Sequence, residues 1–147
     1  MLDRSFIGDE SAPRFIEVEK GQLKFFAKAT GETDPVYFDE EVARAAGHPT
    51  LPAPPTFQFS LEMLAPDPRG MLGPLDVDIG KLLHGEQKFE FERQIYAGDT
   101  IKLISRIVDI YDKKGGALEF VVLETSAENQ RAEAVGRTRT VTVVRNL

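Results

Sequence analysis

The stretch Gly31-Glu32-Thr33-Asp34-Pro35-Val36-Tyr37 sets two carboxylates and a phenol close together along the chain. Carboxylates at such spacing suit acid–base chemistry. A phenol, with a reference pKa of about 10, donates a hydrogen bond more readily than it shuttles a proton near neutrality. Glu32, Asp34 and Tyr37 are therefore candidate catalytic or substrate-contacting residues. The two acids follow the end of an expected helix, where the macrodipole does not favour negative charge, so a purely structural capping role is less natural than usual there, and a solvated loop is the alternative to a functional role. His84 stands beside Gly85, a position where a ligand or another backbone can approach closely, whereas His48 precedes Pro49 and reads as a loop residue. With no cysteine and only these two separated histidines, no metal-ligand cluster is expected.

The elements that must position these residues fall into two kinds. Before residue 80 the chain is helical and loop-rich. Leu23, Phe26, Ala27 and Thr30 recur at helical spacing after a short extended piece around Phe15, and Gly31 supplies the stop. A short helix over about 39–46 follows, then four prolines (Pro49, Pro52, Pro54, Pro55) that impose a rigid irregular segment. Thr56 reads as the N-cap of a central helix over 56–65, whose Phe57, Phe59, Leu61, Met63 and Leu64 leave almost no polar face and predict near-complete burial. After residue 80, four strands are expected at about 82–96, 100–112, 117–128 and 133–145, joined as a meander by turns at AGDT, KKGG and ENQRA. Phe89, Phe91 and Ile95 share one face of the first, opposite Lys88, Glu90 and Glu92. Ile101, Leu103 and Ile107 alternate against Lys102 and Arg106 in the second. A long antiparallel sheet with one apolar face, preceded by an apolar helix, implies an α+β hot-dog arrangement in which the sheet wraps the helix.

The 147 residues are expected to form a single domain, 1–147. A net charge of -6 disfavours nucleic acid and anionic membrane as partners. The first fifteen residues carry no apolar signal-peptide core, and no stretch approaches the length of apolar residues that spans a bilayer, so a cytoplasmic location is expected.

The order of motifs resembles the MaoC-like hydratase/dehydratase branch of the hot-dog superfamily, and most closely its FAS1-like dehydratase domain. The segments that carry it are ATGETDPVYFDEEVARAAG, LPAPPTF, LLHGEQKFEFERQIYAGDTI and RTRTVTVVR. The resemblance implies action on acyl thioesters, 2-enoyl or 3-hydroxyacyl chains on coenzyme A or acyl carrier protein, with no cofactor beyond the carrier. In active (R)-enoyl-CoA hydratases the matching segment is G-D-x-N-P-x-H, whose Asp and His hold the water and move its protons. Glu32 stands at the Asp position, one methylene longer, and a misplacement of about 1 Å can cost a hundredfold in rate. Tyr37 stands at the His position, and Asp34 sets a second negative charge beside Glu32.

Active hydratases also carry a glycine before the central helix whose N–H polarises the thioester carbonyl. That position falls on Pro55, which has no N–H, and loss of one such donor costs about 3 to 4 kcal/mol. Thr56 N–H could substitute in a reshaped loop. Substrate contacts are expected from Pro55, Thr56, His84 and Gly85. The resemblance thus implies a subunit with a degenerate site, paired in a heterodimer with a MaoC-like catalytic subunit. The alternatives are a self-sufficient hydro-lyase homodimer, a non-catalytic acyl-thioester binding module and, more remotely, a thioesterase. The pairing is expected edge to edge through the strand that contains His84 and Gly85.

Overall fold

Alternating apolar and polar residues build the sheet, and a run of apolar residues too short to span anything but a small core builds the helix it holds. The computed structural model describes residues 1–67 and 70–146. Its elements are β1 (Arg14–Glu17), α1 (Lys20–Ala29), α2 (Glu40–Ala45), α3 (Phe57–Leu64), β2 (Leu82–Phe91), β3 (Thr100–Lys113), β4 (Leu118–Glu128) and β5 (Ala134–Arg145). All strands join one antiparallel sheet in the order β1-β3-β4-β5-β2. This is the α+β hot-dog architecture, with α3 laid against the inner face. Among the described residues no helix is long and apolar enough to cross a membrane.

Two expectations about the sheet are corrected. Only β3, β4 and β5 form a meander; β2 pairs with β5 rather than with β3, so the AGDT turn carries the chain across the sheet instead of closing a hairpin. Alternation decides which face a residue takes and is silent on which strand lies beside it. The first strand also stops at Phe91, because the amides of Glu92 and Arg93 both turn to the carbonyl of Val135 (3.1 Å each) and end the ladder. Phe91 does not reach the core: it is 63% exposed and stacks on Phe89, with ring centroids 5.8 Å apart.

The central helix is 57–64 rather than 56–65, and its burial is one-sided. Phe57, Gln58, Leu61 and Glu62 face inward, while Met63 and Leu64 are about half exposed. Phe57 and Leu61 pack with Leu23, Leu51, Ile101 and Leu103 in the main core, and Phe26 meets Phe57 edge to face at 5.2 Å. The inward stripe thus contains two polar residues one helical turn apart. Glu62 is the costly one. Its carboxyl accepts a hydrogen bond from Thr138 Oγ1 at 2.6 Å, and burial pushes its pKa from the usual 4.5 to about 7, against the opposing pull of Thr138, Arg14, Thr125 and Gln58.

Leu61→Ala should cost about 2 to 5 kcal/mol, read as a fall of roughly ten degrees in melting temperature; an unchanged melting temperature would place the helix elsewhere. Between about pH 4.5 and 7 the folded chain keeps a proton on Glu62 that the unfolded chain has released, so stability falls as pH rises through that window. The loss is on the order of 3 kcal/mol. Urea unfolding of wild type and Glu62→Gln from pH 5 to 8 should show the two diverging in the variant's favour as pH rises; parallel curves would contradict it.

Candidate functional site

The Glu32 loop is held by the end of α1. Gly31 takes a left-handed φ of 79°, its N–H reaches Lys28 O (3.2 Å) and Glu32 N–H reaches Ala27 O (2.9 Å), a Schellman-type stop that fixes where Glu32 leaves the helix. A one-turn 3-10 helix over Pro35–Tyr37 follows. Asp34 caps it, accepting Val36 N–H at 3.0 Å, so this acid does have a capping role, at the helix that follows rather than the one before. Tyr37 is partly buried beside both acids. Its phenol is pushed up from the usual 10, first by burial and then by the negative charges of Glu32 and Asp34. The three residues are brought together, yet they line neither of the two cavities described next.

The first of these, about 270 Å³, opens at the start of α3 and is lined by Pro54, Pro55, Thr56, Gln58, Phe91 and Gln94 among others. The proline-rich segment is strapped down by Ala53 N–H to Ile95 O (2.8 Å), Ala97 N–H to Leu51 O (3.0 Å) and Gln94 Nε2 to Ala53 O (2.9 Å). Pro54 and Pro55 have no N–H to offer the cavity. Thr56 does, and its amide makes no hydrogen bond among the described residues. The residue sits at φ 71°, a left-handed conformation that is costly for a β-branched side chain. Thr56 stands at the N-cap of α3 as expected, but its side chain makes no capping hydrogen bond. Pro55 and Thr56 thus share one cavity, whose lining does not include Tyr37.

His84 belongs to the other cavity, also about 270 Å³, beneath the far end of α3. Its ring meets Phe59 edge to face at 5.1 Å. Gly85 sits at a bulge in β2, where a Cβ would come within 2.9 Å of Val143 Cγ2 and 3.0 Å of Val141 O, so its smallness serves strand packing. The second histidine, His48, pairs with Tyr96 through Nδ1 and the phenol oxygen at 3.1 Å. Among the described residues no group of three or more acids, histidines and cysteines could hold a metal ion.

Sequence reasoning missed the polar end of this second cavity: Glu62, Arg14, Ser105, Thr125, Thr140 and Thr142. The signal was present in two places. Gln58 and Glu62 lie four apart on one helix face, and Thr138, Thr140 and Thr142 alternate along one face of β5.

The chain matches the FAS1-like dehydratase domain region over residues 5–138. A UPF0336 protein of Streptomyces griseus is 34% identical over 145 residues, covering 98% of this chain and 95% of the relative. A UPF0336 protein of Saccharopolyspora erythraea is likewise 34% identical over 145 residues, 98% of this chain and 92% of the relative. Among solved structures, a chain of the truncated HadBC (3R-hydroxyacyl-ACP dehydratase) complex of Mycobacterium tuberculosis superposes with a TM-score of 0.77 at 27% identity, covering 94% of this chain and 96% of that one. A chain of the ChsH1-ChsH2 complex from the same organism has a TM-score of 0.74 at 21% identity over 92% of this chain and 88% of that one, a likeness of fold. With the family matched along nearly its whole length and MaoC-like dehydratases as its structural neighbours, this chain belongs to the FAS1-like dehydratase domain family.

Proposed function

We propose that the chain is the acyl-thioester-binding, catalytically degenerate member of a hydratase/dehydratase pair, joined along the open edge of β2 to a MaoC-like subunit that carries the intact acid–base pair. The observation that carries this reading is Tyr37. Burial and two neighbouring negative charges move its phenol further from neutrality, so it stays protonated over the working pH range and offers hydrogen bonds rather than a proton shuttle. Asp34 spends its carboxylate on the cap of the next turn. Pro54 and Pro55 withhold the amide that would polarise a thioester carbonyl. Of the three requirements for adding water, only a lengthened carboxylate at Glu32 survives.

The edge favours a partner. β2 ends the sheet, so among the described residues its outer backbone groups have no strand to pair with, and Leu83 and Phe91 are left 46% and 63% exposed along it. The cavity at Thr56 opens against this same edge, through Phe91, Glu92 and Arg93. Likeness to a chain of a hydroxyacyl-ACP dehydratase complex supports a thioester carrier, coenzyme A or acyl carrier protein, as the substrate handle. A second reading, a homodimeric hydro-lyase, draws on the unengaged Thr56 N–H as a replacement donor.

The test is hydration of crotonyl-CoA and longer 2-enoyl-CoA esters by the purified chain, alone and mixed with a MaoC-like subunit that keeps its Asp/His pair. The expected result is turnover only in the mixture, together with a heterodimer by light scattering; turnover by the chain alone favours the homodimeric reading. Restoring the machinery in the isolated chain with Glu32→Asp, Asp34→Asn, Tyr37→His and Pro55→Gly together should raise hydration well above the sum of the single changes, because parts of one catalytic unit act non-additively.

A further inference from the structure

The inner face of the sheet beneath α3 is polar where a core face would be apolar. Ser105 on β3, Thr125 on β4 and Thr138 on β5 stand opposite one another in register and form a belt of hydroxyls across three strands. Thr140 and Thr142 extend it along β5, and all five are buried. The belt is bonded internally: Ser105 Oγ to Thr125 Oγ1 at 2.8 Å, Thr140 Oγ1 to Gln87 Oε1 at 2.9 Å, and Thr138 Oγ1 to the Glu62 carboxyl that descends from α3. Arg14 reaches it from β1, donating through Nη2 to Ser105 Oγ at 3.2 Å and through Nη1 to the carbonyls of Glu62 (3.3 Å) and Asp67 (3.2 Å).

This belt forms one end of the cavity of about 270 Å³, whose other walls are apolar: Phe59, Met63, Met71, Leu72, Leu82 and Leu123. Two polar side chains there are turned to the space: Arg14 Nε is sealed from solvent without a partner among the described residues, and Thr142 lines the cavity beside Thr140. A cavity with apolar walls and a few convergent polar groups is the usual form of a small-molecule site. This one is large enough to hold several waters or the end of an acyl chain.

We propose that this cavity receives the far end of an acyl chain that bears a neutral oxygen substituent, a hydroxyl or keto group, bound by Glu62, Thr142 and the hydroxyl belt. The proposal deepens the acyl-thioester reading above and rests on it for the identity of the chain. Neutrality follows from the charged groups that face the space. Glu62 and Arg14 stand at the polar end and His84 near Phe59 at the mouth, so a carboxylate would meet Glu62 and an ammonium would meet Arg14. A hydroxyl both donates and accepts, as the belt does.

The experiment is calorimetric titration of the purified chain with octanoyl-CoA and 8-hydroxyoctanoyl-CoA, and separately with free 1-octanol, which carries no thioester. Wild type, Glu62→Leu and Thr142→Val are compared; the last is nearly isosteric and keeps the test interpretable if the Glu62 variant folds poorly. The hydroxylated ester should bind roughly three- to tenfold tighter than the plain one, the range of one net hydrogen bond. Thr142→Val should erase that preference and should weaken 1-octanol to a similar degree. Equal affinity of the two esters in wild type, or a preference that survives Thr142→Val, overturns the proposal while leaving acyl-thioester binding intact. If neither ester binds but 1-octanol does and loses affinity in Thr142→Val, the polar cavity stands and the thioester reading falls. Absence of binding by all three overturns both.

Discussion

The seating of α3 on β5 is the contact on which the rest of the fold depends. It requires a strand with no side chain at Gly136, where a Cβ would come within 2.7 Å of Gln58 Oε1 and 2.8 Å of Glu90 O. With that space clear, Phe57 and Leu61 sink into the main core and Glu62 comes within a hydrogen bond of Thr138, two residues further along the same strand face. β2, β3 and β4 are ordered around that line of contact, and β1 closes the far edge against β3.

The way the chain arrives at α3 shapes what the site can do. Two prolines in succession fix the approach, and the strain they pass on is held by Thr56 in a left-handed conformation, a cost of about 1 to 3 kcal/mol that surrounding bonds must over-determine. The straps from Ala53, Ala97 and Gln94 do so. Those two prolines also lack the amide N–H that a carbonyl-polarising turn would present. On the proposed function, a scaffold that holds an acyl chain is thereby retained while the means of reacting with it is reduced. On this account the Glu32 loop is a wall, and its electrostatics move Tyr37 in the direction opposite to that which proton transfer at neutral pH requires.

Much of this was legible in the sequence, for identifiable reasons. The limits of β3, β4 and β5 follow from β-rich stretches bounded by glycine- and asparagine-containing turns, and α1 from its helical spacing and Gly31. The crossing of β2 to β5 was not legible, because a period of two specifies faces and not neighbours. Phe91 misled for a related reason: it keeps the alternation of a core strand on an edge where a partner, not the core, would cover it. The polar end of the cavity was hidden by the apolar abundance of FQFSLEML, in which a single glutamate weighs little against five large apolar residues until the strand facing it is known. Glu32, Asp34 and Tyr37 were recognisable as a group; that Asp34 is engaged as a cap depends on a turn of three residues, below what residue patterns resolve.

The central claim is that the Glu32 loop has lost its chemistry, and steady-state hydration of a 2-enoyl thioester by the purified wild type and by Glu32→Gln tests it most directly. The account predicts a wild-type rate far below the ordinary enzyme range of about 1 per second or more, changed little by the substitution. A wild-type rate of several per second that Glu32→Gln abolishes would contradict it and make Glu32 a catalytic base.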